Sequence, residues 1–201
     1  SIVRPKDEKD GFPAALRNAD LALSLNAGLA EAHVSKAFYL FQYAWDWSGA
    51  EREFGAAENI NSRYATGLQW KAVYYAAMGR HDEAIDQIAR AMGSDQQSPI
   101  LGTNRGWLMH LARRDAEAER ELRAVLQRVP DFEEAHRQLG DVRLTRGDYG
   151  EALREYAAAE RLAVDHDHRG RTEYEALMAR AAAPMFSGLR VSCARPAAAR
   201  F

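Results

Sequence analysis

The chain predicts an all-α fold, a right-handed α-solenoid of antiparallel helix pairs, and three observations lead there. Ala50, Ala84, Ala118 and Ala152 stand 34 residues apart, and internal periods of this length belong to repeat architectures. Four residues after each alanine comes a large apolar residue, Phe54, Ile88, Leu122 and Tyr156, and seven after it Ala57, Ala91, Val125 and Ala159. Small, large and small at i, i+4 and i+7 share one face of a helix. The polar and apolar alternation of half-buried strands is hard to find anywhere in the 201 residues. A single helix pair cannot bury its apolar face alone, so stacked pairs share a core and leave a concave surface. That surface implies binding a protein or peptide.

Taken in order, residues 1–10 read as an N-terminal extension and residues 11–29 as half a repeat, a second helix only, marked by Ala15, Ala19 and Ala22. Its uncovered face invites self-association. The first full unit spans residues 30–64, and its Glu31-Ala32-His33 recurs as Glu134-Ala135-His136 after three periods plus one residue. One residue is therefore inserted, and the turn Ala44-Trp45-Asp46-Trp47 is its expected place. Residues 65–98 form the second unit, with Gly79 permitting the turn between its helices. Its exit is degenerate, since Gln96 stands where the third unit, residues 99–132, has Pro130. A proline there ends a helix because it has no backbone donor. Residues 133–166 are the fourth unit and a linker, 167–183 a capping helix with Tyr174, Leu177, Met178 and Ala181 on one face, and 184–201 a basic tail with Arg190, Arg195 and Arg200.

Gly106, Ala118 and Pro130 in the third unit, and Leu139-Gly140, Gly147-Asp148-Tyr149 and Ala152 in the fourth, carry a resemblance to tetratricopeptide repeat (TPR) proteins over residues 12–162. Small residues where the two helices cross let them approach, and the large residue beside them fills the space. The run Tyr43 to Phe54, with Ala76 to Ala84 and Ser98-Pro99-Ile100, is similar to repeat regions of bacterial multidomain regulators, where an effector domain precedes the repeats. The resemblance implies a non-enzymatic docking or regulatory module, with an oligomerisation element or a small-ligand sensor as alternatives. The clamp by which some TPR proteins grip acidic chaperone tails is missing: in one register its positions hold Val34, Phe38, Trp70, Ile100 and Asn104, and one repeat on they hold Gln69, Val73, Asn104, Glu134 and Gln138, with no basic residue in either.

Composition narrows the classes further. With 47% hydrophobic and 28% charged residues the chain has ordinary globular composition. Its 27 basic and 29 acidic residues intermix, so no one-sign stripe suggests a nucleic-acid partner. Cys193 is the only cysteine, which excludes an intramolecular disulfide. No apolar run approaches the ~20 residues a bilayer requires, so no membrane partner is expected. The start lacks a methionine and the apolar core of a signal peptide. This suggests a fragment of a longer protein, placed in the cytoplasm or, alternatively, on the periplasmic side of an anchored regulator.

No cofactor, metal or catalytic group is expected. His166 and His168 flank Asp167 in a polar loop, a weak start for a site that wants about four ligands. His33 and His136 hold equivalent repeat positions and read as packing residues, and pairs such as Glu119 with Arg123 read as solvated helix surface. No nucleophile elbow, phosphate loop or zinc-protease helix occurs. The partner-binding candidates are instead the inner-face positions of the first helices: Phe38, Phe41, Val73, Asn104, Trp107, Leu111, Arg137 and Asp141. This face is apolar at its start and polar at its end, with the aromatic rings as anchors.

Overall fold

The computed structural model describes residues 8–163 except Ser94, with side chains from Pro13 onward. The expected linker cluster around Asp167, the capping helix, the basic tail and Cys193 lie outside the described residues. Among the described residues every regular element is helical: α1 Glu8–Leu25, α2 Ala30–Tyr39, α3 Trp47–Ile60, α4 Ala65–Ala77, α5 His81–Met92, α6 Pro99–Leu111, α7 Asp115–Arg128, α8 Glu133–Thr145 and α9 Tyr149–Leu162. A π-helical turn, Leu40–Ala44, extends α2. The chain divides into a first compact unit ending at Pro130 and a second beginning at Asp131.

In the first unit α2 pairs with α3, α4 with α5 and α6 with α7, while α1 packs on α2. Each pair is built on the residues that carry the period. Ala50, Ala84 and Ala118 are fully buried, as are Ile88 and Leu122, with Phe54 nearly so. On the first helices Ala37, Ala72 and Gly106 are buried, and Gly106 faces Ala118 and Leu122 across its pair. A Cβ added at Gly106 would lie 2.6 Å from Leu122 Cγ, which shows how little space the crossing leaves. The second unit is a pair of its own, α8 on α9, closed by Ala152 and Tyr156 with Leu144 and Leu153 packed against them.

The turns within pairs share one device. Gly79 at φ +73°, Arg113 at φ 61° and Gly147 at φ +84° are left-handed, and the next amide donates five residues back: Arg80 N–H to Tyr75 O, Arg114 N–H to Met109 O and Asp148 N–H to Arg143 O. This is the helix-ending motif that left-handed residues permit. In the first pair the left-handed residue is Trp45, φ 57°. Here Asp46 N–H reaches back six residues to Leu40 O, at 3.0 Å. The inserted residue is thus absorbed in the π turn Leu40–Ala44, upstream of Trp45 rather than in the Ala44–Trp47 turn itself. The left-handed positions 45, 79, 113 and 147 keep the 34-residue spacing. Asp46 then caps α3, its Oδ1 accepting from Gly49 N–H at 2.9 Å.

Candidate functional site

The first helices α2, α4 and α6 adjoin in the first unit, α4 touching both of the others. Phe38 on α2 and Trp70 on α4 meet edge to face with centroids 4.6 Å apart. Both rings are half-buried, as are Val73, Asn104 and Trp107, while Ile100 and Leu111 are exposed at 53% and 37%. Phe38, Val73, Trp107 and Leu111 therefore lie on adjoining helices with surface left to solvent. Trp70 belongs beside Phe38 and was not among the expected anchors. The signal for it was an aromatic three residues before Val73 on the same helix, readable only once neighbouring helices are in register.

Phe41 is not on this face. It is buried and meets the Tyr74 ring edge-on at 5.6 Å, because the π turn carries it into the core between pairs. Tyr74 in turn packs on Phe54, and its hydroxyl donates to Trp47 O at 3.0 Å. Burial pushes the Tyr74 phenol above its usual value, with Glu51 nearby adding to it. Val34 on α2 and Thr103 on α6 are also buried.

Arg137 and Asp141 belong to the second unit and are engaged within it. Arg137 pairs with Glu134 and, at 3.9 Å, with Glu133, while the Tyr156 hydroxyl donates to Asp141.

Charged groups of the first helices are tied to the second helices. Lys36 reaches Asp20 Oδ1 at 3.0 Å and Glu53 Oε1 at 3.5 Å, and its ammonium is held above the usual lysine value chiefly by the bond to Asp20. Lys71, only 8% exposed, donates to Glu58 Oε2 at 2.5 Å, and Arg105 meets Glu121 at 3.3 Å. His33 and His136 occupy equivalent places, each 2.6 Å from a carboxylate, Glu53 and Glu155. These are pairing roles between helices. Among the described residues no group of three or more His, Cys, Asp and Glu side chains is placed to hold a metal. Glu119 and Arg123 pair at 2.8 Å on α7, with Arg123 exposed but the Glu119 side chain largely covered, so this pair is not the fully solvated surface expected.

A second feature is a trough of about 360 Å³ between α1 and α2, lined by Ala15, Asn18, Ala19, Ala22, Leu29 and Ala32 among others. Nearby on α1, Leu21 and Leu25 are exposed at 61% and 81%.

No family model matches the chain. Over 98 residues it is 28% identical to RNA polymerase II-associated protein 3 of Homo sapiens, a stretch covering 49% of this chain and 15% of that protein. The crystal structure of a thermophilic TPR protein of Thermus thermophilus is similar with a TM-score of 0.74 at 23% identity, covering 84% of this chain and 91% of that one. The first TPR of Spaghetti, solved with the HSP90 peptide SRMEEVD, is similar with a TM-score of 0.52 at 24% identity, covering 59% and 95% of the two chains. The fold is that of tetratricopeptide repeats.

Proposed function

We propose that this tetratricopeptide-fold chain is a non-enzymatic protein-interaction module that receives an apolar segment of a partner on the inner face of α2, α4 and α6. The observation that carries this is the half-buried Phe38–Trp70 pair with Val73, Trp107, Ile100 and Leu111 on adjoining helices. Half-buried rings held by a scaffold are the residues that dominate interface energetics. The HSP90 peptide bound by the Spaghetti repeat carries two glutamates and an aspartate, and that chemistry belongs to that protein. Here the basic side chains Lys36, Lys71 and Arg105 of the three helices are already paired with carboxylates. A partner held by apolar anchors fits this face better than an acidic tail.

The test is binding of a peptide selected by display against this chain. Trp107→Ala and Phe38→Ala should each weaken it by more than about 1 kcal/mol, or about fivefold, with melting nearly unchanged. Unaltered affinity in folded variants would move the site elsewhere. Loss of the fold in Trp107→Ala would assign that ring to the core.

A second reading is favoured by the α1 trough, whose small side chains beside exposed Leu21 and Leu25 leave room for large side chains of another copy. In that reading the half repeat is an oligomerisation element, and association should rise with concentration. The resemblance to bacterial regulators suggests a docking region serving an effector domain, which the complete gene would test. Among the described residues no helix is long and apolar enough to cross a membrane.

A further inference from the structure

The turn of the first pair differs from the other within-pair turns among the described residues. Its left-handed residue is a tryptophan, 72% exposed, where the others are glycine or arginine. A bulky side chain in that conformation costs roughly 1–2 kcal/mol, and Trp45 recovers little of it by burial. Trp47 is 44% exposed and its ring centroid lies 6.4 Å from that of Trp45. Tyr43 on the π turn is 45% exposed, its ring centroid 5.2 Å from that of Tyr39. Strain, a π insertion and exposed rings coincide at one place, and such outliers accumulate where a protein binds.

Charge says what would be bound. From Leu40 to Gly49 the turn has no lysine or arginine and Asp46 is its one carboxylate, since Glu51, further along α3, is already bonded to Arg80. Hydrogen bonds from Gly49 N–H and Ser48 hold the Asp46 carboxyl below the usual carboxylate range, with Arg52 nearby adding to it, so it is anionic at neutral pH. The next pair shows the same chemistry satisfied from within: Arg80 stacks 4.1 Å from the Tyr75 ring centroid and bonds to Glu51 and Glu83. In the position equivalent to Arg80 the first turn has Asp46, so the turn itself sets no guanidinium against Trp45 and Trp47.

The geometry points to a second docking site, separate from the inner face: the Trp45–Asp46–Trp47 turn takes an arginine side chain from a partner protein, its guanidinium on the indole faces and its charge against Asp46. A planar guanidinium suits aromatic faces better than an ammonium does, and tryptophan is the strongest aromatic partner of a cation.

The test uses the four tryptophan indole N–H resonances of the labelled protein, titrated with a Gly/Ser peptide carrying arginine and with its citrulline twin, uncharged but of the same shape. The expected result is saturable movement of Trp45 and Trp47, at least about fivefold weaker for citrulline, further weakened by Asp46→Asn and abolished by Trp45→Gly. Glycine fits the left-handed turn as it does at Gly79 and Gly147, so Trp45→Gly keeps the fold and the loss reads on binding alone. Equal response to citrulline would overturn the proposal. So would shifts confined to Trp70 and Trp107, the same shifts on concentrating the protein alone, or shifts with phosphatidylcholine vesicles in place of the peptide.

Discussion

At the scale of single residues, the alanines that carry the period are also where the pairs are tightest. Ala84 and Ala118 are 0% exposed, and the Ala118 carbonyl lies 3.4 Å from where a Gly106 Cβ would stand. Ala84→Leu and Ala118→Leu should each cost roughly 1–3 kcal/mol by overpacking, read as a lower denaturation midpoint. Equal midpoints would contradict the assignment of these positions to the helix crossing. Glu58 offers a pH test. Burial would raise its carboxyl, yet hydrogen bonds from Lys71 and Arg90 outweigh burial and hold it below the ordinary range. A depressed folded value means the stabilisation is complete above the unfolded-state value, about 4.3, and is lost as pH falls through the folded one. Glu58→Gln should therefore destabilise at neutral pH, and the gap in melting temperature from the parent should close in acid. Lys71 itself could be read in the sequence only as a charged residue on an apolar helix. That it would be buried depended on Glu58, thirteen residues away on another helix.

At the scale of elements, helix pairing was legible because the same small, large and small triplet recurs and glycine or proline marks the boundaries. The place of the extra residue was not. Sequence arithmetic shows that the count is one too many between His33 and Ala50, but a loop and a helical bulge absorb an added residue equally well on paper. The backbone chose the bulge, and this moved Phe41 from the inner face into contact with Tyr74. Removing the residue should restore the ordinary helix end. Deleting exposed Gln42 should leave far-ultraviolet circular dichroism and the melting temperature close to the parent's, since the next amides can then bond five residues back as at Gly79, Arg113 and Gly147. Deleting buried Ala72 from the middle of α4 should unfold the pair, because all side chains beyond it would turn by about 100°.

At the scale of the molecule, the proposed face of α2, α4 and α6 and the half repeat make different demands on solution behaviour. If α1 recruits a second copy, sedimentation velocity should show mass rising with concentration, and Leu21→Ser with Leu25→Ser should return it to monomer without lowering the melting temperature, as both side chains are exposed. A strict monomer across the range would leave the inner face as the working surface. The fold's class was readable from the whole chain because a repeat states its plan several times over. The exposure of the candidate residues was less legible, as buried Phe41 shows, because which side of a first helix faces solvent is decided by the neighbouring pair. The left-handed residues at 45, 79, 113 and 147 keep step through the chain although the helix ahead of the first is one residue longer. Each turn thus acts as a punctuation mark that resets the reading frame of the architecture: a length error made in one pair is corrected before the next begins. A chain written this way can gain or lose residues in one word without garbling the sentence, and here the surplus is taken up inside the helix, ahead of the turn.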